Sequence, residues 1–251
     1  MKKKIVFSVL FTNIVFGFLA QKDISTHTHA WVMYFGNHRL SERWGIHTEY
    51  QWRRADLFDE WQQSLLRLGI DYFAANGCQF TGGYAFVRTY PYGEQPIGHN
   101  FDEHRVWEQL ILKSKLGRVD VQHRYRLEQR FLENWVKDAS GNYVLDGYLF
   151  RQRARYRLMA TIPLSRKEMA NNTLFLTAYD EPFLGFGKGI AKNILDQNRL
   201  YFALGWRFNP NFNVQLGYLN QYIVKKDGIQ AERNHTLQIG ITNNLDFRKK
   251  D

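Results

Sequence analysis

Apolar and polar residues alternate with a period of two through most of the chain, the spacing of a β-strand with one apolar and one polar face. The alternation is sharpest in 148–162. There Tyr148, Phe150, Ala154, Tyr156, Leu158 and Ile162 share one face, and Arg151, Arg153, Arg155 and Arg157 occupy the other. In 118–132, Val119, Val121, Tyr125, Leu127 and Phe131, interrupted by His123 and Gln129, oppose Asp120, Gln122, Arg124, Arg126, Glu128 and Arg130. Trp44, Ile46, Tyr50 and Trp52 oppose His47, Glu49, Gln51 and Arg53, while Leu200, Phe202, Leu204, Trp206 and Phe208 oppose Arg199 and Arg207. The pattern predicts strands over 28–38, 43–55, 62–73, 78–90, 102–116, 118–132, 148–162, 172–181, 197–208, 211–224 and 235–247. Turn signals stand between them at Asn76-Gly77, Gly117, Gly141-Asn142, Asn209-Pro210-Asn211 and Asp227-Gly228. With no amphipathic helix and no linker, residues 21–251 read as one all-β domain.

Two all-β architectures fit such a pattern. A soluble periplasmic β-sandwich binding protein would bury the apolar face between sheets and show the arginines to water. An antiparallel up-and-down transmembrane β-barrel would show the apolar face to lipid and the arginines to a polar lumen. The barrel is favoured by strand length, since a tilted crossing takes about 9–11 residues. It is also favoured by aromatics near strand ends, such as Tyr84-Phe86-Tyr90 and Tyr148-Phe150, which resemble interfacial girdles. An arginine at a bilayer midplane costs about 2–4 kcal/mol, so the alternate arginines must face the lumen or the rim. The connections near 91–101, 133–147, 182–196 and 225–234 are long and fall on one end, and those at 39–42, 74–77, 117 and 209–210 are short. Single-chain bacterial barrels have an even number of strands. Counting back from a periplasmic C-terminus makes segment 28–38 run downward, so the count reads as ten, with that segment incomplete, or twelve, with one strand unseen.

Composition adds to this picture rather than opening it. Of 251 residues, 44% are hydrophobic, yet after the leader no run of about 20 apolar residues marks a membrane helix. Gly at 19 and Pro at 5 exclude a collagen-like or low-complexity chain, whereas 16% aromatic is high for a soluble domain. The formal charge is +10, of which Lys2, Lys3 and Lys4 contribute three. These lysines, the apolar run Ile5 to Leu19, and Ala20 read as a secretory signal over 1–20, implying export through the inner membrane, which with the barrel pattern leads to the outer membrane of a Gram-negative bacterium. Cys78 stands alone, so no intramolecular disulfide forms, and it reads as a packing thiol.

The candidate chemistry is an inward charge network of Glu49, Arg53, Arg67, Glu103, Arg105, Arg124, Arg126, Glu128, Arg130, Arg151, Arg153, Arg155, Arg157, Glu181 and Arg199, with Arg207, Asp71 and Asp120 beside it. One reading is structural: guanidinium forks clamp carboxylates and fill a narrow barrel. The other is a small, porin-like anion-selective pore, because the arginines outnumber the carboxylates. An outer-membrane lipid-modifying enzyme of the acyl hydrolase type is the alternative. However, Ser25, Ser41, Ser64, Ser114, Ser140 and Ser165 lack a recognisable Ser/His constellation. Glu103-His104 and Asp180-Glu181 read as ion-pair members, and His27-x-His29 lacks a third ligand. No catalytic, metal or cofactor site is expected. Arginines alternating in long strands behind an export signal also argue against nucleic acid. Expected partners are outer-membrane lipid, the barrel-assembly machinery and small anionic solutes, with oligomeric state left open.

Several segments taken in order resemble the bacterial outer-membrane barrel family designated domain of unknown function 2490. They are Trp31, Glu49-x-Gln51-x-Arg53, Gly83-Tyr84, Glu103-His104-Arg105-x-Trp107-x-Gln109, His123-Arg124-x-Arg126-x-Glu128-x-Arg130, Arg151-x-Arg153-x-Arg155, Asp180-Glu181, Gln197-Asn198-Arg199 and Gly217-Tyr218. The resemblance implies an exported outer-membrane barrel and brings no catalytic residue with it. Leu245-x-Phe247 looks like the aromatic-ended assembly signal, followed here by Arg248-Lys249-Lys250-Asp251.

Overall fold

The computed structural model describes residues 22–248 except 76, 95, 96, 189 and 191, so the expected signal segment lies outside the described residues. The regular elements are strands: β1 (Asp23–Arg39), β2 (Trp44–Ala55), β3 (Glu60–Phe73), β4 (Gln79–Thr89), β5 (Phe101–Leu116), β6 (Val119–Lys137), β7 (Tyr143–Pro163), β8 (Thr173–Phe186), β9 (Leu195–Asn209), β10 (Phe212–Val224) and β11 (Gln230–Asn243). Each pairs antiparallel with its neighbour in the chain, and β1 closes the barrel against β11. A sandwich is thereby excluded.

The closing pair is parallel, in register from Asp23 opposite Gln230 to Phe35 opposite Thr242. The even-number argument fails here. Segment 28–38 does run in the same direction as the last strand, as parity required, but it belongs to a full strand of 17 residues, and the barrel closes with eleven strands. Parallel pairing satisfies the two edge strands with evenly spaced, slanted hydrogen bonds, so an odd count leaves no open edge. Beyond β11, the Arg39 N–H donates to Leu245 O at 2.8 Å and the Phe247 N–H donates to Arg39 O at 2.8 Å. Leu245-x-Phe247 thus continues along the end of β1 with both side chains exposed.

Connections fall alternately at the two ends, but their lengths separate less cleanly than the sequence pattern indicates, since 164–172 is long at one end and 56–59 is short at the other. One end carries 40–43, 74–78, 117–118, 164–172 and 210–211; the other carries 56–59, 90–100, 138–142, 187–194 and 225–229. At the first end, Gly117 adopts φ +60 in the two-residue connection between β5 and β6, a backbone that favours glycine. At the second, β6 and β7 continue past their neighbours as a hairpin, Lys137 pairing with Tyr143. The segment 133–147, read as a long loop, is therefore mostly strand.

The outward face is apolar along its length, for example Leu66, Leu68 and Ile70 on β3 and Leu200, Phe202 and Leu204 on β9. Aromatic contacts gather toward the ends. Trp44 meets Tyr72 (centroids 5.0 Å apart) at the short-turn end, and Trp61 meets Tyr90 (5.4 Å) at the long-loop end. The outward histidines that broke the alternation are hydrogen-bonded across strands to tyrosine hydroxyls: His104 to Tyr84 (2.5 Å), His123 to Tyr156 (2.8 Å) and His235 to Tyr218 (2.5 Å).

Not every aromatic faces outward, and here the sequence reading is corrected. Trp31, Trp107, Phe183 and Tyr201 are buried inside the barrel. Trp107 lies where Gly83 and Gly69 face each other across β4 and β3. A Cβ on Gly83 would sit 2.0 Å from Leu68 O, and one on Gly69 would sit 2.9 Å from Trp107 Cζ2. The missing side chain at Gly69 leaves room for the indole, and the one at Gly83 lets the β3 and β4 backbones approach closely.

The seam yields a direct test. In a Cys78→Ala background, Val32→Cys with Ile239→Cys should form an intramolecular disulfide in the folded barrel, because these residues are register partners. Val32→Cys with Ile241→Cys, two residues out of register, should not, since separations beyond about 7 Å cannot be bridged. Non-reducing electrophoresis reads both, and absence of the first crosslink would refute parallel closure.

Candidate functional site: an arginine–glutamate layer across the lumen

Alternation places the charged residues on the inward face, and the register then decides which of them meet. Glu128 on β6 is fully buried and collects three guanidinium groups. Arg153 reaches Oε2 (Nη2, 2.6 Å; Nε, 2.9 Å), while Arg155 Nη1 (2.9 Å) and Arg67 Nη2 (3.2 Å) reach Oε1. Arg67 comes from β3, on another part of the wall, and its Nη1 binds Glu49 Oε1 on β2 at 2.6 Å. Arg155 also donates to Glu181 on β8 (2.9 Å), which Arg124 shares. A continuous relay, Glu49–Arg67–Glu128–Arg155–Glu181, therefore crosses the lumen.

A second cluster joins it from the side. Glu103 accepts from both Arg105 and Arg130, each with an Nη2–Oε2 distance of 2.9 Å. Arg105 Nη1 stands 4.0 Å from Glu128. Arg153 extends the network to Asp196 at 2.7 Å, a carboxylate the sequence reading passed over. Arg126 is held by Gln109 Oε1 (Nε, 3.1 Å) and lies 3.9 Å from Glu49.

The remaining members stand apart from carboxylates. Arg53 donates to the amide oxygens of Gln51 and Gln63, and Arg157 to Gln122 (2.6 Å). Arg151 lies half-buried beside Ile190 and Asn193, and Arg207 and Asp120 line the short-turn side of the lumen. Asp71 accepts from Thr81 (2.7 Å) and Gln79 (3.0 Å), outside the arginine network.

Three buried rings hold arginines that carboxylates alone do not fix. Arg53 and Arg199 lie 4.2 and 5.2 Å from the Trp31 ring, and Arg126 and Arg67 lie 4.9 and 5.3 Å from Trp107. Arg155, Arg199 and Arg153 gather around Phe183 at 4.1, 4.8 and 5.0 Å. A desolvated contact of this kind contributes up to about 2 kcal/mol. Parity could have found these rings, because Trp107 stands two residues from Arg105 and Phe183 two residues from Glu181.

The layer divides the lumen. Toward the long-loop end lies a chamber of about 220 Å³, toward the short-turn end one of about 500 Å³, and Gln51, Arg155 and Arg199 border both. Connection 90–100 folds back over the smaller chamber. There Tyr92 donates to Glu232 Oε2 (2.7 Å) and meets His29 and His27 edge-on at 5.2 and 5.9 Å. Burial, with the Glu232 carboxylate beside it, pushes the Tyr92 phenol well above its usual range, so it stays a donor. Ser25 Oγ lies 3.2 Å from His27 Nε2, a contact between alternate residues of one strand that the sequence reading did not anticipate. Among the described residues no group of three His, Cys, Asp or Glu side chains is placed to hold a metal ion.

Removing a carboxylate from the layer leaves buried guanidinium groups uncompensated, a loss of about 3–5 kcal/mol for a broken buried pair. Glu128→Ala should therefore destabilise the barrel by at least that much. Asp102→Ala, which breaks only the outward Arg88 pair (2.6 Å), should cost about 1 kcal/mol or less. Equilibrium unfolding in urea distinguishes the two, and equal losses would show that the layer is not a principal source of stability.

No curated protein matches the chain. Among solved structures, the β domain of the Bordetella autotransporter Brka aligns at 8% identity with a TM-score of 0.44, covering 72% of this chain and 78% of that one. The family model for proteins of unknown function DUF2490 matches residues 28–233, and the chain belongs to that family.

Proposed function

We propose that this chain is an outer-membrane β-barrel of a Gram-negative bacterium. Its lumen is closed at rest by the arginine–glutamate layer, and small anionic solutes enter cationic chambers on either side of that layer. It carries out no chemical reaction. The observation that carries this reading is the relay from Glu49 through Arg67, Glu128 and Arg155 to Glu181, which fills the lumen between the chambers.

The outer surface supports the membrane setting. A band of exposed Leu, Ile and Phe encircles the barrel, far more apolar area than a water-facing surface normally carries. Trp44 and Trp52 on β2 are eight residues apart, about 27 Å along the strand at about 3.4 Å per residue. At a tilt of about 40° that becomes roughly 20 Å, close to the apolar band of such barrels. Several outward polar groups are paired with one another on the surface, among them the histidine–tyrosine pairs and Asn198 Nδ2 with Asp180 (2.9 Å), which lowers the cost of placing them in hydrocarbon. Short turns then face the periplasm and long connections the exterior. The exposed Leu245-x-Phe247 is left at the periplasmic end for the assembly machinery.

Arg67 is the part of the layer whose removal leaves both of its carboxylates with other cations, Glu49 with Arg126 and Glu128 with Arg153 and Arg155. In planar bilayers the wild-type barrel should show no steady conductance, and Arg67→Ala should give discrete anion-selective steps. An always-open wild type would overturn the closed reading, and cation selectivity in the variant would overturn the anionic one. The membrane setting has its own test at Leu68, the outward partner of Thr48, midway between Trp44 and Trp52. Leu68→Arg should cost about 2–4 kcal/mol in lipid vesicles, whereas a water-facing barrel would tolerate it.

A further inference from the structure

Arg199 on β9 is 6% exposed, and its Nε is buried without a hydrogen-bond partner. Its register partner on β8 is Glu181, but that carboxylate is already shared by Arg124 and Arg155. Among the described residues, the faces of Trp31 and Phe183 are what hold it. Arg53, 7% exposed, approaches the same Trp31 ring at 4.2 Å, and its own Nε is likewise unpartnered. Its other contacts are the neutral oxygens of Gln51 and Gln63. Two permanently charged guanidinium groups thus share one indole, and neither has a carboxylate within ion-pair distance among the described residues. Like charges so placed repel strongly in a medium of reduced dielectric, and a dianion bound by both removes that cost.

The chamber above them narrows the chemistry. At about 220 Å³ it has room for roughly seven water molecules at about 30 Å³ each, more than a bare oxyanion needs. Its wall also carries further cations, among them Arg105, Arg130 and Lys225, and the carboxylates Asp196 and Glu232. Beside these stand neutral hydrogen-bonding groups such as Gln62, Gln197, Gln221 and Tyr92. The neutral groups suit hydroxyls. A phosphate monoester carries about −1.5 to −2 at pH 7 and three acceptor oxygens for arginine forks.

We propose that Arg199 and Arg53, held against Trp31, form a binding site for the phosphate group of a small phosphorylated polyol that enters from the long-loop end. The proposal rests on the reading of that chamber as open to solute, but it is tested by binding rather than by conductance. A silent barrel that fails to bind overturns only the proposal, and a conducting barrel that binds overturns only the closed reading.

The experiment is calorimetric titration of the folded, full-length barrel in detergent with glucose 6-phosphate, inorganic phosphate and glucose. Glucose 6-phosphate should bind saturably at one site per barrel, inorganic phosphate more weakly, and glucose not at all. Arg199→Gln should weaken binding at least tenfold, and Arg53→Gln gives the same readout should the first variant not fold. Arg88→Gln, which removes an outward cation at the same end, should stay within twofold. Equal affinity for inorganic phosphate would overturn the polyol part. Absence of saturable binding by either phosphate, or an equal loss in Arg88→Gln, would overturn the site.

Discussion

The constraint on which this structure depends is that an arginine cannot shed its charge. A buried lysine or carboxylate can neutralise itself, whereas a guanidinium must be met by an anion, an acceptor or an aromatic face. With arginines at alternate positions on β6 and β7, the register makes this acute. Arg124 stands opposite Arg157, Arg126 opposite Arg155, and Arg130 opposite Arg151. Like charges directly across a pair of strands are destabilising, and within the pair Glu128 compensates Arg153 and Arg155, so the other carboxylates must come from elsewhere. Glu181 arrives from β8, Glu103 from β5, and Glu49 through Arg67 from the β2–β3 wall. The salt-bridge layer is therefore what allows β6 and β7 to pair in this register.

Other features follow from holding that layer in place. Trp107 backs Arg67 and Arg126 and can do so because Gly69 leaves the adjacent wall bare. Phe183 does the same for the Arg153–Arg155 side. On the opposite wall an apolar cluster of Trp31, Met33, Tyr201, Ala203 and Leu219 fills the interior beside the parallel seam. The lumen is thus asymmetric: the salt-bridge layer lies along β2 to β8, and an apolar cluster from β1, β9 and β10 packs among the buried polar side chains of β11.

Much of this was legible from period two alone. The alternation separated outward Leu and Phe from inward Arg and Glu, because a strand's side chains have only two directions to take. Three things escaped it. Strand number was argued from the habit of bacterial barrels rather than from the residues, which had already placed segment 28–38 in the same direction as the last strand. Inward aromatics were assigned to the girdles by residue type, although Trp31, Trp107 and Phe183 share parity with the charged face. Which arginine meets which glutamate was illegible, since that depends on the register of β3 and on side chains reaching over the lumen. Even a correct inward list could not show that Glu181 is spent on Arg124 and Arg155 and leaves Arg199 alone.

The unequal count of cations and carboxylates then has a consequence for any account of the lumen. Pairing satisfies the central layer, where each glutamate serves more than one arginine, and leaves the excess charge to either side of it. Arg53 and Arg199 border the smaller chamber, and Arg157 and Arg207 the larger. Were the interior merely structural filler, replacing these residues by glutamine would relieve repulsion while keeping much of the hydrogen bonding, as the many inward glutamines already illustrate. On the proposed reading, positive charge held without a protein counterion draws anions from solution into the chambers. The paired arginines then shut the centre of the barrel, and the unpaired ones on either side make its two ends attractive to anionic solutes.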